Sequence, residues 1–243
     1  TVNNVKLYYE DTGRGVPLLL LHGFGGTTSH WEPYIREFAK NYRVIAMDLP
    51  GHGRSDFMDT TEVYLHKRAA EYIIGLLDRL QIDSINIMGI SSGGFITTYI
   101  ATIRPQLVKK MVVIGSQVYY SKTTREVITA VADPAKNQTN QNRIREHGQQ
   151  KAIVLERQFW NFRKLYGDPS FTPDVLATVT ARVLIIHGDN DPIAPVSNAW
   201  EMFQHMPKAK LWIVPNGGHV PSAIPANRDD FIRRVREFLE GKW

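Results

Sequence analysis

The sequence has 243 residues, of which 43% are hydrophobic and 22% are charged, values that are ordinary for a globular protein. The formal net charge is +5, but the 29 basic residues are scattered among 24 acidic ones without a long lysine or arginine run, which argues against nucleic acid as a partner. Cysteine is absent, which excludes disulfides, thiolate metal sites and a cysteine nucleophile.

The length suits one undivided α/β domain that buries a sizeable core. The longest apolar stretch near the start, Pro17–Leu21, is far too short to cross a bilayer, and no secretory signal pattern is visible. Together with the lack of cysteine, these features favour a cytoplasmic protein without a membrane span, and we expect a monomer or a dimer.

Short apolar runs alternate with longer amphipathic stretches along the chain. Inner runs such as 18–21 and 183–186 are continuously apolar, which is typical of parallel strands covered on both faces. Helical spacing of apolar residues is found over Glu62–Leu80 and Ala226–Leu239. The alternation predicts an α/β fold with a mostly parallel, doubly wound sheet. The predicted strands are Val5–Tyr9, Pro17–His22, Tyr42–Asp48, Ser84–Met88, Lys110–Ile114, Arg182–His187 and Lys210–Val214.

One long segment interrupts this alternation. Residues 117–179, which we call the cap segment, are polar and helix-compatible and carry no strong strand signal. We predict a small helical cap here, inserted into an α/β core formed by residues 1–116 and 180–243, over the carboxyl ends of the strands where open α/β sheets bind ligands. A disordered loop is the alternative, but an aromatic cluster argues against it, because such side chains need burial. The cluster consists of Phe159, Trp160, Phe162 and Tyr166.

The segment Gly89–Gly93 fits the pattern G-x-S-x-G, with an apolar strand before it and an apolar helix after it. Such a turn strains the serine backbone, and bulky residues two positions away would collide, so glycine occupies both places. This context predicts Ser91 as a nucleophile and the Ser92 N–H as an oxyanion donor. The alternatives are a plain glycine-rich turn and Ser92 as the nucleophile, which would have Ile90 two positions before it.

A second glycine-rich stretch, His22–Gly26, follows an early apolar run. Its glycines let the backbone approach a reacting carbonyl, and the Phe24 N–H is the predicted second oxyanion donor. A plain glycine-rich loop is the alternative. A phosphate-binding loop is disfavoured, because neither G-x-G-x-x-G nor a P-loop lysine is present.

Together these motifs resemble those of the α/β-hydrolase superfamily, in particular its small carboxylesterase, enol-lactonase and C–C hydrolase branch. They occur in the family's order along nearly the whole chain outside the cap segment, and they are specific for fold but weakly specific for substrate. The resemblance implies a chemistry that requires no metal and no cofactor. The motifs are His22-Gly23-Phe24, Asp48–Ser55, Gly89–Gly93, His187–Asp191 and Gly218-His219.

The resemblance also implies the chain order nucleophile, acid, base. Asp191 matches the position of the acid, whereas Asp189 is expected to structure the turn. His219 follows a predicted strand, where the family places its base, so Ser91, Asp191 and His219 form the expected catalytic triad. The other histidines have different expected roles: His66, His147 and His205 are surface or structural residues, His22 and His187 are structural hydrogen-bonders, and His30 and His52 are candidates for the pocket wall.

These residues favour a serine hydrolase that cleaves small-molecule esters or lactones through an acyl-enzyme. A hydrolase of C–C bonds in vinylogous diketones would use the same triad, and a ligand-binding receptor on a hydrolase fold would keep it, so both remain alternatives. Aromatic residues are the candidates for the substrate pocket, with core packing as the alternative for each. They are Trp31, Tyr119, Phe159, Trp160 and Phe162.

Overall fold

The computed structural model describes residues 1–58, 62–133 and 139–243. Within them, seven strands form one sheet in the order β1-β3-β2-β4-β5-β6-β7. The strands are β1 (Tyr9–Gly13), β2 (Val16–Leu21), β3 (Tyr42–Met47), β4 (Ile85–Ile90), β5 (Val108–Ile114), β6 (Arg182–Gly188) and β7 (Ala209–Val214). The α-helices of these residues are α1 (Glu32–Phe38), α2 (His66–Arg79), α3 (Ser92–Ile103), α4 (Lys122–Val131), α5 (Gln141–His147), α6 (Gln149–Asn161), α7 (Pro173–Ala177), α8 (Val196–His205) and α9 (Arg228–Glu240).

The sheet is parallel except at one edge, where β1 pairs with β3 in the antiparallel sense. Two apolar clusters cover its faces, and successive residues of β2 alternate between them. Leu19 and Leu21 pack with α2, α3 and α8, while Leu18 and Leu20 pack with α1 and α9. The continuous apolar run in β2 therefore follows from burial on both faces, and the predicted mostly parallel, doubly wound sheet is confirmed.

Six of the predicted strands overlap β2 to β7, but the first prediction, Val5–Tyr9, was wrong, because β1 begins only at Tyr9. The preceding residues hydrogen-bond to a loop instead of a strand. The carbonyl of Lys6 accepts from the N–H of Asp56 at 2.8 Å, and the N–H of Tyr8 donates to Ser55 Oγ at 2.9 Å. The apolar pattern of this segment thus reflects its packing and not a sheet register.

The described part of the cap segment contains α4 to α7, and residues 134–138 lie outside the described residues. Its aromatic residues differ in burial: Phe162 is 1% exposed, whereas Tyr166 is 75% exposed. The division of the chain into a core and a separate cap stays a prediction.

None of the helices in the described ranges is both long and apolar enough to cross a membrane.

One arginine side chain holds much of the cap segment together. The Nε of Arg125 donates to the carbonyl of Tyr120 at 2.9 Å, and its Nη atoms donate to those of Phe162, Arg163 and Leu165 at 3.3, 2.9 and 2.7 Å. Arg125 on α4 therefore supplies donors to carbonyls of the turn that follows α6 and to one carbonyl just before α4.

Two buried histidines connect the loops that follow β2 and β3. His22 donates from Nδ1 to the Gly23 carbonyl at 2.7 Å and accepts at Nε2 from the Leu49 N–H at 2.9 Å. His52 is also fully buried, and its ring meets that of Phe24 at a centroid distance of 4.9 Å. Burial lowers the pKa of His22 to about 3 and that of His52 well below 6.5, because the protonated rings would lose their hydration.

We predict that Arg125→Ala lowers the free energy of unfolding by about 2–4 kcal/mol, because charge-assisted hydrogen bonds are lost and partly buried carbonyls are left without donors. Urea denaturation followed by circular dichroism measures the change. Lys122→Ala on the same helix is the control: its 91% exposed side chain lies 3.8 Å from Glu126, so the change should stay within about 0.5 kcal/mol. Equal effects of the two substitutions would contradict the assigned role.

Stability should fall as the pH is lowered from 6.5 towards 4.5. The folded pKa of His22 is depressed, so the unfolded chain binds protons that the folded chain does not; the stabilisation is complete above the unfolded pKa of 6.5 and is lost towards about 3. His22 and His52 should each contribute a slope of about 1.4 kcal/mol per pH unit in urea denaturation. His52→Gln should remove one of the two contributions. A flat profile between pH 6.5 and 4.5 would exclude neutral buried rings.

Candidate active site

A cavity of about 520 Å³ opens at the carboxyl-terminal edge of the sheet. The loop after β2, the start of α3, the helices α4 to α6 and the loop after β7 line it. A second and more open cavity of about 980 Å³ lies against α4 and the segment before α7. Ser91 and His219 line the first cavity and are absent from the lining of the second, so the first contains the candidate site.

Ser91 occupies the turn between β4 and α3 with φ +51° and ψ −114°, a conformation that L-residues rarely adopt. The turn brings backbone atoms very close together. A Cβ built on Gly89 would lie 2.3 Å from the Gly93 carbonyl oxygen, and a Cβ on Gly93 would lie 2.3 Å from that of Leu21. Both glycines of the motif are therefore required by contact, and the strained turn aims Ser91 at the cavity.

His219 joins Ser91 to Asp191 through hydrogen bonds. Its Nε2 lies 2.9 Å from Ser91 Oγ, and its Nδ1 lies 2.8 Å from Asp191 Oδ2. Because an ionised carboxylate can only accept, Nδ1 carries the hydrogen and the neutral ring accepts from the Ser91 hydroxyl at Nε2. The structure thus brings the three residues predicted from separate motifs into one hydrogen-bonded chain.

Asp191 is held as a buried carboxylate. Besides His219, it accepts hydrogen bonds from the N–H groups of Ile193 and Ala194 at 2.8 and 2.9 Å. Burial by itself raises the pKa of Asp191, but the hydrogen bond and charge of His219 and the two N–H donors outweigh it, so the pKa lies below the usual 3.8. The other aspartate of this motif, Asp189, accepts from the Gly217 N–H at 3.2 Å and shapes the turn.

The two backbone N–H groups predicted as oxyanion donors both belong to residues that line the cavity. Within the described ranges, neither the Phe24 N–H nor the Ser92 N–H donates to a protein acceptor. At Gly23, the loop after β2 lies against the turn that carries Ser91, since a Cβ built on Gly23 would lie 3.5 Å from Ser91 Cβ. Two unused donors therefore border the same space as the serine hydroxyl.

The Ser92 hydroxyl belongs to a different hydrogen-bonded chain. It lies 3.1 Å from His66 Nε2, and His66 Nδ1 lies 2.8 Å from Asp168 Oδ1. Asp168 also accepts from the backbone N–H groups of His66 and Lys67, at 3.1 and 2.9 Å, and so caps the start of α2. Sequence reasoning missed this chain, because His66 and Asp168 are far apart in the sequence and neither lies in a recognised motif.

The predicted pocket residues separate into two groups. Phe159 and Phe162 line the cavity that contains Ser91. Three others lie outside its lining. Trp31 is fully buried against Tyr34, Tyr119 lines the second cavity, and the Trp160 ring is covered by Arg163 at 3.6 Å.

Several residues that the sequence did not single out also line the cavity. Tyr120, Thr124 and Ile128 come from the start of the cap segment and from α4, and Arg143 comes from α5. His30 lines the cavity as expected, whereas His52 is buried outside it. Which faces of these helices point inward depends on how they pack, so no local pattern identifies the residues.

Comparison with known proteins gives two family matches. The α/β hydrolase fold family matches residues 16–144, which is more than half of the chain, and a family of TAP-like proteins matches residues 163–240. Together the two matches cover the segments that carry Ser91, Asp191 and His219.

Individual relatives are hydrolases with differently named substrates. The chain is 34% identical over 134 residues to (E)-2-((N-methylformamido)methylene)succinate hydrolase of Acinetobacter baylyi, an alignment that spans 55% of this chain and only 50% of that relative. It is 25% identical to pimeloyl-[acyl-carrier protein] methyl ester esterase of Nitrosomonas europaea, with 89% of this chain and 93% of the relative covered.

Among solved structures, the fold is similar to that of a meta-cleavage product hydrolase from Pseudomonas fluorescens. The TM-score is 0.80 at 24% identity, and 99% of this chain and 96% of that one are covered. The family matches and this shared architecture agree, and the chain belongs to the α/β hydrolase fold family and is a hydrolase.

Proposed function

We propose that this protein is a serine hydrolase that cleaves carboxylic esters or lactones of small molecules through an acyl-enzyme intermediate. The observation that carries the proposal is the hydrogen-bonded chain from Asp191 through His219 to Ser91, with links of 2.8 and 2.9 Å. This chain borders a cavity of about 520 Å³, a size that suits a small ligand.

In the proposed reaction, Ser91 Oγ attacks the substrate carbonyl while its proton passes to Nε2 of His219. The imidazolium then carries positive charge beside Asp191, which is ionised because its pKa lies below the usual value. The tetrahedral oxyanion would accept hydrogen bonds from the N–H groups of Phe24 and Ser92, which have no other acceptor in the described residues. The start of α3 adds the positive end of the helix dipole.

Collapse of this intermediate breaks the C–O bond, and the leaving alcohol takes the proton from His219 Nε2. Water then attacks the acyl-enzyme, giving its proton to the same nitrogen, and the acid is released as Ser91 regains its hydrogen. His219 has a 19% exposed side chain, which suits a group that must meet both substrate and water.

A hydrolase of C–C bonds in vinylogous diketones is the second candidate. It is favoured by the meta-cleavage product hydrolase among the structural neighbours, whose fold this chain shares. Ester cleavage and C–C cleavage both need a serine or an activated water beside a carbonyl. The triad is therefore compatible with both reactions, and only the substrate distinguishes them.

We expect Ser91→Ala to reduce kcat/KM on p-nitrophenyl butyrate by about 1,000-fold or more, because no other hydroxyl contacts His219 in the described residues. Ser92→Ala is the matched control. It keeps the backbone N–H and removes a hydroxyl that faces His66, so its loss should stay within about tenfold. A larger loss for Ser92→Ala than for Ser91→Ala would overturn the choice of nucleophile.

The reaction type is tested by turnover of two substrates at equal enzyme concentration. We expect sustained multiple turnover of p-nitrophenyl butyrate, with a kcat/KM above that for a 2-hydroxy-6-oxodienoate measured by loss of its absorbance. The reverse order would favour the C–C hydrolase. A single slow turnover on both would instead favour a ligand-binding receptor built on this fold.

A further inference from the structure

Arg143 is the one permanent charge among the described residues that line the cavity. It extends from α5, and the described lining contains no aspartate and no glutamate. Much of the remaining lining is aromatic or aliphatic, including Phe24, Phe159 and Ile128. A ligand in this cavity therefore meets a single cation in largely apolar surroundings.

The guanidinium of Arg143 has no protein partner. Among residues 1–58, 62–133 and 139–243, no carboxylate lies within 4.0 Å of it, and it donates no hydrogen bond. Burial lowers the pKa of Arg143 and outweighs the more distant Glu156 and Glu146, which raise it. Their carboxylates have other neighbours: Glu156 accepts from the Asn140 N–H at 2.7 Å, and Glu146 lies 3.9 Å from His30.

Arg143 is placed beside the loop that carries the proposed oxyanion donor. A Cβ built on Gly25 would lie 2.8 Å from Arg143 Nη2, and Gly25 has φ +76°, so only glycine leaves room for the guanidinium here. His147 on the same helix fixes this arrangement, since its Nε2 donates to the Gly25 carbonyl at 3.0 Å and its Nδ1 accepts from the Gly53 N–H at 2.8 Å.

We propose that Arg143 binds a carboxylate of the substrate, so that the preferred substrates are esters or lactones that carry a second, free carboxylate. A partly desolvated guanidinium without a partner is costly, and a carboxylate matches its planar donors with two oxygens. The described lining offers one permanent cation, which fits one carboxylate better than a phosphate dianion. The ester part of this inference rests on the proposed function.

Matched esters test this assignment by turnover. The wild-type protein should have a higher kcat/KM on 4-nitrophenyl hydrogen adipate than on 4-nitrophenyl hexanoate, which has a methyl group in place of the terminal carboxylate. Arg143→Gln should lower the ratio of the two kcat/KM values by about 10- to 100-fold, the usual effect of losing a charge-assisted hydrogen bond. Arg145→Gln, an exposed arginine of the same helix, should leave the ratio unchanged.

Binding tests it independently of turnover. In the Ser91→Ala background, isothermal titration should give a tighter Kd for monomethyl adipate than for dimethyl adipate, and adding Arg143→Gln should abolish the difference. No preference for the anion, or equal losses on both ligands from Arg143→Gln, would overturn the proposal. Arginine-dependent binding without ester turnover would reject the proposed function alone, whereas turnover without an anion preference would reject the carboxylate site alone.

Discussion

The arrangement of the site depends on one strained turn. Ser91 takes φ +51° between β4 and α3, and the helix that follows packs so closely that Gly93 leaves no room for a side chain beside the Leu21 carbonyl. This contact fixes α3 against the end of β2 and so brings Gly23 beside Ser91. Neighbouring strands hold the strained backbone in place, since the Ser91 N–H also donates to the Ile114 carbonyl of β5 at 2.8 Å. The serine hydroxyl and two unused N–H groups then border one cavity without any further adjustment of the backbone.

Two serine–histidine–aspartate chains begin at adjacent residues of this turn, and their surroundings make them unequal. His219, which contacts Ser91, has a 19% exposed side chain and borders the cavity, as the proposed reaction requires of the proton acceptor. His66, which contacts Ser92, is completely buried, and the carboxylate of Asp168 fixes its ring. The second chain is suited to hold the start of α3 and the cap segment in place. Burial, and not the identity of the three residue types, separates the two roles.

The sequence predicted what local pattern and strand order determine. Ser91, Asp191 and His219 follow β4, β6 and β7, and the carboxyl ends of parallel strands meet at one edge, so their proximity follows from topology. Side-chain direction outside the sheet does not follow from such rules. Trp31 was expected in the pocket and is buried, whereas Arg143 carried no recognisable signal and lines the cavity. These positions depend on contacts between distant segments, which periodicity within one segment does not describe.

In the proposed reaction, one part of the chain supplies the reacting groups and another part supplies the residue that binds the substrate carboxylate. The proposed reacting groups follow strand ends, while Arg143 and Phe162 come from the cap segment. Polar contacts join the two parts: Lys151 of α6 donates to the Gly53 and Ser55 carbonyls at 2.9 and 2.5 Å, and His147 of α5 donates to the Gly25 carbonyl in the loop after β2. A substitution that removes the charge of Arg143 on α5 should therefore leave the backbone of the turn at Ser91 unaltered. In this proposal, the position of α5 determines which substrates are preferred. The residues at the edge of the sheet determine which reaction takes place.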